Sequence, residues 1–366
     1  VRRTRVEGVW RAVGEAGLVR GAVARTAYAL TIVTGVTVRV PAKLNLQLAV
    51  GPPRADGYHD LVTVFHAVSL FDEVTAEPAG RDGVTVTGEG ADRVPVGPDN
   101  LALRAAAALR KAVAGATGGP KAGTGVGPRA GTGGVHITIV KRIPVAAGLA
   151  GGSADAAAAL VACNELWVGG LSQPQLVEVA ARVGSDVAFA LLGGTAVGRG
   201  RGERLTPALA PTTQYHWVLA FADGHLSTPE VYAALDRLRA ARAGSAGGTA
   251  QAGSAQAGPA EPDLDAALMS ALRSGEARLV GRALSNDLQP AALSLFPALR
   301  KTLAAGLELG ALGALVAGSG PTCVFLASSA DRALDLAVSL SGAGVCRSVA
   351  RVTGPVAGTA ILPPSK

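Results

Sequence analysis

Aromatic residues make up only 4% of this 366-residue chain, and cysteine occurs three times, at Cys163, Cys323 and Cys346. The cysteines stand far apart without any CxxC spacing. That argues against a zinc site or a disulfide framework and fits a reducing cytoplasm. No unbroken apolar run approaches the roughly 20 residues that a membrane helix needs. The stretch "AYALTIVTGVTV" behind Arg25 is shaped like a short secretory segment. No A-x-A-like cleavage site follows it, and the run merges into strand-like sequence. Basic clusters are missing as well. The net charge is +7 and the pI about 9.7, but residues 1–34 hold six arginines against two glutamates and the rest is spread thinly. A nucleic-acid footprint would be a clustered patch beside aromatics or a known module, so direct nucleic-acid binding is not expected. Neither GxxxxGK[ST] nor a dinucleotide GxGxxG is present.

What remains is an ordinary globular composition, 49% hydrophobic and 17% charged, long enough for about two domains. Residues 1–34 read as an extension ahead of the fold. Residues 36–50 alternate as a strand, with Lys43, Asn45 and Gln47 on the face opposite the leucines. The turn "GPPRADGYHD" leads into "LVTVFHAVSL", and strands continue near 72–77 and 84–88. Asp99 and Asn100 are cap candidates for the helix "LALRAAAALRKAV". Low-complexity insertions follow at 114–134 and 243–262. "VHITIVKRIP" is a strand, and a helix is expected at about 172–183. The second half brings the strand "YHWVLAFAD" and the helix "TPEVYAALDRLRAAR". Helices near 263–283 and 297–309, strands near 314–328, a helix at 330–341 and a strand near 346 complete it. This order predicts two α+β domains, 35–204 and 205–366, rather than a doubly wound sheet.

One stretch carries chemistry: "PVAAGLAGGSADAAAALVAC", residues 144–163. Glycines at 148, 151 and 152 allow close backbone approach, and Ser153 is expected as the helix N-cap. A bare first helical turn leaves its N–H groups open to an anion such as a triphosphate. The same composition also suits a turn that merely packs closely. Ala147 and Ala150 are expected at ordinary negative φ.

The stretch resembles the phosphate loop of the GHMP kinases, the small-molecule kinases related to galactokinase, homoserine kinase and mevalonate kinase, through Pro144, Gly148, Leu149, Gly152 and Ser153. "PAKLNLQL" from Pro41 and "GSGPTCVFL" from Gly318 match two further elements of that superfamily. Within it, "RADGYH", "GSDVAF", "GRGRGE" and "SNDLQ" resemble the branch whose acceptor is 4-diphosphocytidyl-2-C-methyl-D-erythritol, in the non-mevalonate route to isoprenoids. The resemblance spans about residues 36–355.

That resemblance implies a two-domain α+β fold with the active site in the cleft between domains. It implies transfer of the ATP γ-phosphoryl to a tertiary 2-hydroxyl, with Mg²⁺ bridging the ATP phosphates. Asp186 matches the base that accepts the hydroxyl proton, and Lys43 the catalytic lysine. Taken alone, Asp186 also reads as a helix cap and Lys43 as a solvated strand lysine. Residues Pro144, Val145, Ala146, Ala147, Gly148, Leu149, Ala150, Gly151, Gly152, Ser153 and Ala154 would bind ATP. Asn45, Tyr58, His59, Thr228 and Tyr232 would bind the acceptor, the tyrosines stacking on cytosine and His59 bonding its edge. Pro229 shapes the approach, and Lys141 either assists nucleotide charge or is exposed. No side chain is assigned as a direct magnesium ligand, although Ser153 neighbours the ion. His66, His136, His216 and His225 read as structural or surface residues. Alternatives are another GHMP kinase, a catalytically silent ligand-binding relative and an RNA-binding protein of similar fold.

Overall fold

Two long strands carry the architecture: β1, Val36–Pro53, and β2, His59–Ala79. They join across the turn at 54–58, where the Arg54 N–H donates to the Tyr58 carbonyl at 2.7 Å and Gly57 takes φ +80°. The strands run antiparallel, with Val36 opposite Ala76 and Lys43 opposite Ala67. This computed structural model describes residues 35–116, 133–208, 213–246 and 261–363. The N-terminal extension and the stretches 117–132 and 247–260 lie outside them.

Among the described residues, the first sheet grows outward from this pair. The strand β3 (Gly83–Gly88) lies parallel to β4 (Gly134–Lys141), which pairs with the far half of β2. The near half of β2 takes β5 (Thr195–Gly200), which in turn takes β6 (Arg204–Pro207). The second sheet contains β7 (Tyr215–Phe221) between β10 (Cys323–Ala327) and β11 (Ser348–Gly354), with β9 (Gly313–Val316) beside β10. Two short late strands, β8 (Ser285–Asn286) and β12 (Ala360–Ile361), return to pair with β1.

The helices are α1 (Leu101–Ala116), α2 (Gly151–Leu166), α3 (Gln173–Val183), α4 (Ser185–Leu192) and α5 (Thr228–Ala246). After them come α6 (Ala266–Ser274), α7 (Ala277–Arg282), α8 (Gln289–Leu295), α9 (Leu299–Glu308) and α10 (Ala330–Gly342). Asn100 caps α1, its side-chain oxygen accepting from the Ala102 N–H at 2.9 Å. The helical stretch expected at 263–283 is two helices, because Gly275 takes φ +72° and ends α6. The seven-residue α8 was not expected at all.

Packing explains the alanines. The helix α2 is buried from Ala154 to Leu160 without interruption, so it has no solvent face to fill with charge. Small side chains let β1, β2 and α1 approach it closely. One core holds α2 together with Val36 to Leu46 of β1 and Trp217, Leu219, Val324 and Leu326 of the second sheet. A second core, against Val231, Leu299 and Leu336, takes Val218, Ala220, Cys323 and Phe325 from the opposite face of that sheet, together with Leu48 and Val50 of β1. The second sheet is thus apolar on both faces, and β1 feeds both cores.

No helix among the described residues is long and apolar enough to cross a membrane.

Candidate active site

Strand alternation brings Lys43 and Asn45 together. The Lys43 ammonium donates to the Asn45 side-chain oxygen at 2.6 Å, and the Asn45 amide donates to Thr63 Oγ1 at 2.8 Å. Thr63 in turn donates to the Gln47 carbonyl at 2.7 Å. This chain of donors fixes which way each group points. Gln47 leaves that face, because β1 carries a register shift between Asn45 and Gln47. It bonds instead to the Asp263 carbonyl at 2.7 Å and the Asp265 N–H at 3.0 Å.

Asp186 faces the same lysine, its Oδ2 at 3.7 Å from Lys43 Nζ. It lies in the first turn of α4, whose N-cap is Gly184 without any side-chain capping bond. The capping alternative therefore fails: the carboxylate points to a cation rather than to its own helix.

The glycine-rich loop closes over this group. The Lys43 N–H donates to the Leu149 carbonyl at 3.2 Å. Gly148 takes φ +78°, and a Cβ there would sit 2.0 Å from the Ala317 carbonyl oxygen. A Cβ on Gly318 would lie 3.4 Å from both Lys43 Nζ and Asn45 Oδ1. Asn286, in "SNDLQ", holds this second loop by donating to the carbonyls of Val316 and Gly318, both at 2.7 Å. The three matched segments thus form one constellation.

Two expectations about the loop need correction. Ser153 is not the N-cap. That position belongs to Ala150, and α2 begins at Gly151. Ala150 takes φ 58° rather than the ordinary negative value that Ala147 keeps, and Ala146 takes φ 55° beside it, at a cost of about 1–2 kcal/mol each for a residue bearing a Cβ. The effect is to present the N–H groups of Gly151, Gly152 and Ser153, which have no partner among the described residues, at the positive end of the α2 dipole.

Lys141 is not exposed. It is buried and donates to Asp72 and to Asp155, the latter at 2.8 Å. Asp72 also accepts the N–H groups of Arg142 at 2.6 Å and Ile143 at 2.8 Å. The triad therefore ties β2, the end of β4 and the first turns of α2 together beneath the loop. Burial works to lower the Lys141 pKa, and the charges of Asp155 and Asp72 more than reverse it, holding the ammonium above its ordinary value. Burial, with the Asp72 charge, pushes the Asp155 carboxyl up to about 8 against the pull of Lys141.

A cleft of about 480 Å³ unites most of the sequence candidates. Lys43, Asn45, Asp186, Thr228 and Tyr232 line it, as do Ala146, Ala147, Gly148, Ala150, Gly151, Gly152 and Ser153. Leu149 and Ala154 are core residues instead. Pro144 and Val145 line an adjoining hollow. Thr228, at the start of α5, shares a hydrogen bond of 2.9 Å with Ser319 of the Gly318 loop. Burial, helped by the Asp186 charge, pushes the Tyr232 phenol up to about 12, so it is neutral at any working pH.

Tyr58 and His59 do not line the cleft. Tyr58 is 55% exposed and lies beneath the Arg201 guanidinium, 5.3 Å from its ring centroid. His59 is buried, with its ring 5.1 Å from that of Tyr232 and its Nε2 3.0 Å from Asp236 Oδ1. Tyr232 and Asp236 are one turn apart on α5, so they meet His59 from the same helix face. Sequence reasoning missed Thr63, Arg201, Asn286 and Ser319. Thr63 could have been found as the alternating residue opposite the Asn45 strand, and Asn286 through the role of "SNDLQ". Among the described residues no cluster of three or more His, Cys, Asp or Glu could hold a metal ion.

The chain matches the family profiles "GHMP kinases N terminal domain" over residues 100–194 and "GHMP kinases C terminal" over residues 268–346. It is 52% identical to the 4-diphosphocytidyl-2-C-methyl-D-erythritol kinase of Thermobifida fusca, across 90% of this chain and 99% of that one. The enzyme of the same name from Mycolicibacterium smegmatis is 51% identical, across 91% and 94%. A crystal structure of 4-(cytidine 5'-diphospho)-2C-methyl-D-erythritol kinase superposes with a TM-score of 0.63 at 34% identity, covering 86% of this chain and 98% of that one. Homoserine kinase from Cytophaga hutchinsonii, at 19% identity and a TM-score of 0.62, shares the fold. The chain belongs to the 4-diphosphocytidyl-2-C-methyl-D-erythritol kinase family of the GHMP kinases.

Proposed function

We propose that this chain transfers the γ-phosphoryl group of ATP to the 2-hydroxyl of 4-diphosphocytidyl-2-C-methyl-D-erythritol, as a cytoplasmic enzyme of the non-mevalonate isoprenoid route. The observation that carries the proposal is one cleft lined both by Lys43 and Asp186 and by the bare first turn of α2. Phosphoryl transfer depends mostly on positioning and charge stabilisation. The free N–H groups of Gly151–Ser153 hold the triphosphate. The nucleoside lies in the adjoining hollow of about 250 Å³, which borders the loop at Ala146, Gly151 and Gly152 and is walled by Val94, Pro95 and Leu101. Asp186 accepts the hydroxyl proton as the tertiary alcohol attacks. Lys43 stands within ion-pair distance of Asp186 and offsets the charge that develops at the acceptor oxygen.

The donor set suits Mg²⁺, which takes few protein ligands beside substrate phosphates. The Ser153 hydroxyl is a hard oxygen donor in the cleft lining and would hold it. When bound there, the ion would supply charge neutralisation on the ATP phosphates. A coupled ADP-release assay tests the reading, with the diphosphocytidyl acceptor offered beside homoserine and mevalonate. Turnover of either of those, and none of the diphosphocytidyl compound, overturns it.

Gly152 offers a test of the loop alone. A Cβ there meets only Leu101, at 3.5 Å, so the fold tolerates a side chain while the cleft does not. Gly152→Val is expected to raise the KM for ATP with little change in melting temperature. An unchanged KM would mean that the first turn of α2 does not hold phosphate.

The tyrosines test the acceptor end. Base–aromatic stacking is worth about 1–3 kcal/mol per base on alanine substitution. Tyr232→Ala should therefore raise the acceptor KM by about 5- to 150-fold. Tyr58→Ala should fall toward the lower end, because its ring is largely solvated. Tyr→Phe at either position should be mild, and the KM for ATP should barely move. If both alanine variants keep the acceptor KM, cytosine binds elsewhere.

A further inference from the structure

We propose that Arg201 holds the diphosphate that links the two halves of the acceptor, an assignment that rests on the acceptor reading above. Among the described residues that line the cleft, two carry positive side chains, Lys43 and Arg201. Lys43 is spoken for, because it is buried against Asn45 and faces Asp186. Arg201 is different. Its backbone N–H donates to Glu203 Oε2 at 2.7 Å, but its guanidinium has no ion pair or side-chain hydrogen bond to any described residue. Its one contact is the face of Tyr58, with 5.3 Å from the guanidinium carbon to the ring centroid. At an exposed site such a contact contributes little and leaves the donors free.

Position matters as much as charge. Arg201 stands in the turn between β5 and β6, flanked by Gly200 at φ +74° and Gly202 at φ +100°. A Cβ at Gly202 would lie 3.3 Å from the Phe65 ring and 3.8 Å from Ser185, the residue before Asp186. The turn therefore reaches from Tyr58, which the acceptor reading sets beside the base, toward the carboxylate that takes the hydroxyl proton. A ligand that joins a cytidine to an alcohol through a diphosphate must carry its negative charge across that span. The N–H groups of α2 are committed to the other nucleotide, so the acceptor's phosphates need their own cation. A planar guanidinium with several donors matches phosphate oxygens in pairs.

The test compares two ligands that differ only in the charged group. Binding of CDP and of cytidine is measured by calorimetry for the unaltered protein, Arg201→Gln and Arg201→Lys, beside steady-state kinetics with the acceptor and ATP. The unaltered protein should prefer CDP. Arg201→Gln should weaken CDP by about 10- to 100-fold, as expected for loss of charged hydrogen bonds. Cytidine binding and the KM for ATP should stay within about twofold, and Arg201→Lys should restore part of the CDP preference. The acceptor KM should rise in step with the CDP dissociation constant. The residue lies on an exposed turn, so a melting temperature near that of the unaltered protein is expected for both variants. Equal losses for CDP and cytidine would mean that Arg201 only supports Tyr58, and undiminished preference for CDP would place the diphosphate elsewhere. Either result overturns the assignment while leaving the acceptor reading intact. An unaltered protein that binds neither ligand overturns the acceptor reading, and the assignment with it.

Discussion

Asp186→Asn is expected to lower kcat by about 10²- to 10⁴-fold, the usual cost of losing a general base, while the KM for ATP stays close to its original value. The amide has the shape of the carboxylate but cannot accept the hydroxyl proton. Its environment makes the substitution clean. Asp186 makes no capping bond to α4, so the helix loses no hydrogen bond at its start. The carboxylate lies 3.7 Å from Lys43, beyond direct hydrogen-bond distance, and Lys43 retains its 2.6 Å bond to Asn45. Neither partner should therefore be displaced. Single-turnover kinetics with ATP and acceptor saturating would separate the chemical step from binding. A variant within about threefold of the unaltered rate would leave Asp186 as an ion-pair partner of Lys43 and nothing more.

Lys141→Met carries the second large effect, on stability. It leaves Asp72 and Asp155 buried without their cation, and breaking a buried ion pair from one side costs about 3–5 kcal/mol. That is a large share of the roughly 5–15 kcal/mol by which a domain is stable. The sign of the pH dependence follows from burial. Asp155 is already held up at about 8 in the folded chain, against about 3.9 for an ordinary aspartate. Removing Lys141, whose charge pulls that value down, raises it further. A raised carboxyl adds stability that is fully present below the unfolded value and lost as pH climbs through the folded one. The deficit of Lys141→Met should accordingly be level below about pH 8 and grow above it, as read from urea midpoints at each pH. A deficit under about 1 kcal/mol, or one indifferent to pH, would show that water reaches the carboxylates and that the triad does not brace the loop.

These two residues mark how far the sequence could be read. The juxtaposition of Lys43 and Asn45 needed only the period of a strand, and the α+β order needed only the punctuation by glycine, proline and low-complexity segments. Gln47 followed the same period on paper, yet a one-residue irregularity in β1 sends it to Asp263. Lys141 was opaque because its partners, Asp72 and Asp155, lie 69 and 14 residues away, and no local pattern announces a buried cation. Arg201 and Tyr58 meet only after β5 pairs with β2. The loop geometry was hidden for a different reason. An alanine in left-handed backbone, as at Ala146 and Ala150, contradicts local preference and persists only because the surroundings over-determine it. α8 escaped because seven residues, with Pro290 in the first turn and Pro297 two residues past the end, give too short a period to stand out.

The strand β1 supplies side chains to both cores, and β7 and β10 do so residue by residue. A chain built this way has no seam. Neither half can melt while the other persists, because the surviving half would have to keep strands whose opposite side chains had just been flooded. The catalytic lysine sits on the shared strand, so any heat or denaturant that reaches either core reaches the chemistry at the same moment. Loss of activity and loss of fold should then be one event.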